Sequence, residues 1–146
     1  MLTFEARQSI AARVRRLACD GSREVAAIVP VRGGNLGSPL VISVGEATHV
    51  DVDPTSALRP AIMSRADSWV LVHTHPCGRP PSNADLAVTR RLVAAGNLIG
   101  VPLLGHIVVA PPSWYDCCDA RPLEPNAHIT DRLISGAEGL GHLKVT

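Results

Sequence analysis

Apolar residues recur at Ile10, Val14 and Leu17 among the arginines and polar groups of residues 4–19. This is a helical stripe, and the CDGS turn at 19–22 ends it. The pattern then changes to short apolar runs of strand length. Residues 24–31, EVAAIVPV, form one such run, closed by RGGN, and residues 40–44 form a second. A third strand is expected over 47–52, where His49 and Asp51 alternate with apolar neighbours. Asp53-Pro54 supplies an N-cap and a first-turn proline for a short helix to about residue 65, which Pro60 shortens or kinks. SWVLVH, residues 68–73, is the strongest strand signal. A loop rich in glycine and proline follows, then a helix over 82–98 and a buried strand over 101–110, closed by Pro111 and Pro112. From Tyr115 onward the pattern fades, with a short helix expected over 129–134. No internal repeat and no low-complexity segment is present. Strands and helices mix without strict alternation, so a layered α/β or α+β domain is predicted.

Composition narrows the picture. The 146 residues suit a single domain, and the 46% hydrophobic content opposes disorder. No apolar run is long enough to span a bilayer, and the charges spread along the N-terminus oppose a signal peptide, so a soluble cytoplasmic protein is expected. A net charge of +1 gives no strong nucleic-acid signal, since only Arg90 and Arg91 adjoin in the middle of the chain. Cys19, Cys77, Cys117 and Cys118 show no CxxC spacing and read as reduced thiols.

The chemistry concentrates in LVHTHPCGRPPSNAD. His73 and His75 are two residues apart, so on an extended segment both imidazoles project from one face. They lie where a buried strand runs out, a place where functional groups gather in α/β sheets. The next helix carries apolar residues at Val88, Leu92, Ala95 and Ile99, and three residues before Val88 stands Asp85. A carboxylate on that buried stripe needs a compensating partner. Two histidines and one carboxylate make three ligands and leave a tetrahedral fourth position open, as in catalytic zinc sites. A simpler account stands beside this one: Ser82 and Asp85 also form an S-x-x-D helix start, which capping alone explains.

The segment from His73 to Val109 resembles the RadC-type branch of the JAB/MPN/JAMM metalloprotease superfamily. The shared features are an upstream Glu, His-x-His-Pro, Ser-x-x-Asp, then Thr89, an Ala-Gly pair and the strand motif Leu104, His106, Ile107. The resemblance covers about residues 24–110. It implies a cytidine-deaminase-like fold with a curved mixed sheet flanked by helices. It also implies a zinc ion held by His73, His75 and Asp85 and a water as nucleophile, with Ser82 donating to the oxyanion. A glutamate would act as general base: Glu24 at the start of the first strand is favoured, and Glu46 competes. The implied substrate is a peptide or isopeptide bond of a protein, ubiquitin-like tails included. The alternatives are a non-hydrolytic MPN-type partner-binding module and a role in DNA metabolism. A zinc nucleoside deaminase is discarded, because Pro76-Cys77 lacks the second cysteine of Pro-Cys-x-x-Cys.

Four departures from the family pattern matter, one of them Arg79 where an aspartate is common. The loop of Pro76 to Pro81 is one residue short, which threatens the oxyanion position of Ser82. Cys77 replaces a serine and is expected to be passive. Gly105 replaces an aspartate, which puts in doubt any supporting role for His106.

Overall fold

The computed structural model describes residues 2–17, 22–45 and 52–118. The element order is α1 (Phe4–Leu17), β1 (Val25–Arg32), β2 (Asn35–Leu36), β3 (Leu40–Val44), α2 (Pro54–Met63), β4 (Ser68–Thr74), α3 (Asn83–Ile99), β5 (Leu103–Ala110) and β6 (Ser113–Asp116). The strands form one curled mixed sheet of order β2-β1-β4-β5-β6, with β3 also paired to β1 beside β2. β4 lies antiparallel to β1 and parallel to β5, and α3 is the crossover that a parallel pair requires. An α/β class was predicted, and this is one.

The period of two in the strands sorts side chains onto two cores. Ala27, Val29, Val31, Val70, Val72, Ile107 and Val109 meet Ala6, Ile10, Ala11 and Val14 of α1. On the other face Ala26, Ile28, Trp69 and Leu71 meet Ala57, Leu58 and Ala61 of α2 and Leu92 of α3. Every residue of β4 is buried, which explains why SWVLVH reads as an unbroken apolar run rather than an alternating one. Each large side chain fully buried here, such as Trp69, Leu71 or Leu92, contributes about 1.5–3 kcal/mol.

Several expectations change. Pro60 sits inside α2 without ending it, and the helix runs to Met63. Asp53 caps it as predicted, accepting from the Thr55 and Ser56 amides at 2.7 and 3.0 Å. Pro111 and Pro112 do close β5, but as a two-residue turn that returns the chain as β6, with Val109 opposite Trp114 and Ile107 opposite Asp116. That hairpin and the two-residue β2 were not predicted. Of the strand expected over 47–52, residues 47–51 lie outside the described residues and Val52 is buried but in no strand. The helix expected over 129–134 lies outside them too, as do Cys19 and Glu46.

Candidate metal centre

His73 is in the last turn of the β4 ladder, opposite Ala26 of β1 and beside Val108 of β5. Alternation along β4 places it with Trp69 and Leu71 on the side that α3 covers. His75 lies two residues on and is held by its amide, which donates to the Val109 carbonyl at 2.8 Å. Both imidazoles are buried. Their Nε2 atoms are 2.9 Å apart.

α3 begins where β4 ends. Ser82 is its N-cap, with Ser82 Oγ accepting from the Asp85 amide at 3.2 Å. Asp85 Oδ2 in return accepts from the Ser82 amide and hydroxyl at 2.6 and 2.7 Å, which completes a capping box. Asp85 Oδ1 lies 3.2 Å from His73 Nε2 and Oδ2 lies 3.8 Å from His75 Nε2. Burial alone would raise the Asp85 carboxyl, but hydrogen bonds from His73 and then Ser82 outweigh it and hold the group well below the usual carboxylate range. Capping and site membership, the two accounts of SNAD, are thus both realised by the same side chain.

The donor set can be tested for fit. His75 Nδ1 lies 2.7 Å from the Arg79 carbonyl, an oxygen that only accepts, so Nδ1 carries the proton. In the neutral ring His75 Nε2 is then a bare lone pair. It faces His73 Nε2 and an ionised carboxylate in a buried setting. One imidazole lone pair, a second ring nitrogen and a carboxylate oxygen, all within 4.8 Å of one another, are what a divalent cation requires. His73, His75 and Asp85 fit a metal ion.

Behind this cluster His106 and Thr89 make contacts that the sequence left in doubt. His106 Nε2 is 2.8 Å from His73 Nδ1, and His106 Nδ1 is 2.6 Å from Thr89 Oγ1. His106 is wholly buried, and burial foremost, with His73 next, pushes its imidazole well below the ordinary value. The missing aspartate before it is replaced in space. Asp116 of β6 places Oδ1 3.1 Å from the His106 amide and forms an ion pair with Arg7 of α1 at 2.9 Å. A Cβ at position 105 would lie 3.1 Å from Asp116 Oδ2 and 2.8 Å from Leu2, so glycine leaves the room that this carboxylate occupies. The doubt over His106 is therefore corrected: its support comes from β6 rather than from its own strand. The signal for Asp116 was absent because the β6 hairpin was not predicted.

The buried stripe of α3 is also rotated from the expected one. Thr89, Leu92 and Gly96 are buried, whereas Val88 and Ala95 are only partly so and Ile99 is exposed. Thr89 is thus brought under Asp85 and beside His106. Glu24 immediately precedes β1 and is 3% exposed. Being two residues before Ala26, which pairs with His73, it falls on the histidine side of the sheet by alternation. Its carboxylate makes no hydrogen bond or ion pair among the described residues. Cys77 is exposed, accepts from Arg79 Nε at 3.1 Å and is not one of the three clustered groups.

The chain matches the RadC-like JAB domain over residues 6–123. It belongs to that family. The match is wider than the span of 24–110 read from the motifs, and it takes in α1 and β6, the two elements that carry Arg7 and Asp116. Three helices and a curled mixed sheet are the architecture of this α/β fold. Among relatives, a UPF0758 protein of Caldanaerobacter subterraneus is 44% identical over 69 residues, 47% of this chain and 30% of that protein. One from Syntrophomonas wolfei is 38% identical over 79 residues, 53% of this chain and 34% of the relative. One from Thermosynechococcus vestitus is 34% identical over 97 residues, 66% of this chain and 38% of the relative. The aligned part is about a third of the length of these curated relatives.

Proposed function

We propose that this RadC-like JAB domain is a zinc-dependent hydrolase of peptide or isopeptide bonds, with His73, His75 and Asp85 as ligands and Glu24 as general base. The observation that carries the reading is the pairing of two different kinds of carboxylate. Asp85 is fixed by its capping bonds and faces both imidazoles, while Glu24 lies on the same side of the sheet with its carboxylate bonded to no other described residue. A general base must keep its carboxylate free to take a proton.

A bound zinc ion would supply Lewis acidity and lower the pKa of water towards neutrality. Glu24 takes the proton of the attacking water and returns it to the leaving amine. Ser82 donates to the oxyanion, for which its hydroxyl must turn away from Asp85 Oδ2. The substrate is a protein or peptide, with a ubiquitin-like tail as one candidate, and the setting is the cytoplasm, where the free thiols of Cys77, Cys117 and Cys118 persist. Among the described residues no helix is long and apolar enough to cross a membrane.

A second reading, a metal-holding module that binds a partner without hydrolysis, draws on that same serine, since its only proton is committed to Asp85. Zinc content and turnover on a panel of peptide and isopeptide substrates separate the two. His75→Ala is expected to lose the zinc that the wild type carries. Glu24→Gln is expected to keep zinc and lose turnover. A wild type that holds zinc but cleaves nothing favours the module, and full turnover in Glu24→Gln moves the base to Glu46 or elsewhere.

A further inference from the structure

His73 Nδ1, His106 Nε2, His106 Nδ1, Thr89 Oγ1 and the Asp85 carbonyl form one continuous chain, with successive separations of 2.8, 2.6 and 2.7 Å across its three hydrogen bonds. It starts behind one candidate ligand and ends on the main chain of another. We propose that Thr89 and His106 are positioning residues that select the tautomer of His73 able to bind the metal ion.

The argument is a count of protons. A neutral imidazole has one N–H and two nitrogens, so each ring must choose. His106 is wholly buried, with Nε2 against His73 Nδ1 and Nδ1 against Thr89 Oγ1, so in its neutral form one of these contacts is donated and the other accepted. The chain can therefore run in two directions. In one, the Thr89 hydroxyl donates to His106 Nδ1, His106 Nε2–H donates to His73 Nδ1, and His73 carries its proton on Nε2. That proton points at His75 Nε2 and Asp85, as the 2.9 and 3.2 Å separations ask when no ion is bound, and it occupies the place an ion would take. In the other, Thr89 donates to the Asp85 carbonyl, His106 Nδ1–H donates to Thr89, and His73 Nδ1–H donates to His106. Only this second direction leaves His73 Nε2 as a lone pair.

Thr89 makes the second direction available. Its hydroxyl accepts from His106 while keeping its own proton bonded, because the Asp85 carbonyl stands 2.7 Å away on the preceding turn. His75 gets the same result more simply, from the Arg79 carbonyl at 2.7 Å. In that second direction both imidazoles donate towards main-chain acceptors. Without a hydroxyl at 89, His106 Nδ1–H would have lost its acceptor in a fully buried place, and ion binding would bear that cost.

This inference rests on the metal-site reading and not on hydrolysis, and it is tested on the full chain with Zn2+ alone. Histidine side-chain nitrogen NMR gives tautomers directly, at a pH two units above the ordinary imidazole value of about 6.5. In the zinc-loaded wild type His106, which does not touch the ion, is expected to be protonated on Nδ1. Thr89→Val is expected to bind Zn2+ about 10- to 100-fold more weakly by chelator competition, and Thr89→Ser to recover most of the loss. An Nε2–H His106 in the loaded wild type overturns the proposal, and this measurement stands even where Thr89→Val fails to fold. Unchanged affinity in a folded Thr89→Val overturns it as well, while loss of zinc in His75→Ala keeps the metal reading intact. A wild type that takes up no Zn2+ removes both.

Discussion

At the scale of single residues, neighbours decide what each thiol can do. Cys117 follows β6, and burial foremost, with Asp85 and Asp116 adding to it, pushes its thiol up to about 12, while the Thr89 hydroxyl pulls the other way. Cys77 is exposed, and hydrogen bonds from the Arg79 main chain and then its guanidinium hold it below the ordinary thiol value. Because the thiolate is the reactive form, the two should part sharply. Brief treatment with iodoacetamide at pH 7.5 followed by peptide mass mapping is expected to label Cys77 well before Cys117. Equal labelling would mean that Cys117 is not sheltered as described. Cys77 is thus an accessible thiol two residues from His75 in sequence, and its side chain is not one of the three groups that could hold a metal ion.

At the scale of elements, the short loop between β4 and α3 holds His75 and starts the helix that carries Asp85. Gly78 has φ +72°, and a Cβ on it would lie 2.7 Å from the Pro111 carbonyl. The loop thus packs against the β5–β6 turn with no room to give on the backbone side. Gly78→Ala combines an unfavourable φ with that clash and is expected to cost about 1–3 kcal/mol, read as a lower urea midpoint at unchanged slope. A neutral result would show that the loop can move off Pro111 freely. This element-level precision is where legibility in the sequence divides. β3, β4, the Asp53 cap and the grouping of His73, His75 and Asp85 were readable because they depend on local periodicity, capping chemistry and a short motif. β6 was not, since two prolines look like an ending and their turn geometry depends on a partner strand. The role of Thr89 was hidden for a related reason: β-branched and polar residues on a helix carry no mark of what a distant strand brings against them.

At the scale of the whole molecule, the site is tied to both cores. Arg7 of α1 holds Asp116 of β6, Asp116 holds the His106 backbone in β5, and His106 holds His73 in β4. A neutral imidazole at the centre of such a chain makes the fold sensitive to acid. The His106 pKa is depressed in the folded state, so below about 6.5 the unfolded chain binds a proton that the folded one refuses. Stability must then fall as pH drops from about 6.5 towards the folded-state value. The depressed Asp85 acts in the same direction but lower, because its unfolded counterpart takes up a proton only near the ordinary carboxyl value of 3.8. Two acid-side losses are therefore expected, separated along the pH axis. Urea midpoints of the metal-free protein are expected to decline between pH 7 and 5, by at most about 1.4 kcal/mol per pH unit for one group. His106→Gln is expected to be less stable at pH 7.5, having lost a fitted ring, yet flatter across that interval. A His106→Gln curve as steep as the wild type would place the acid sensitivity elsewhere, and the link from α1 to the histidines would then be packing rather than protonation.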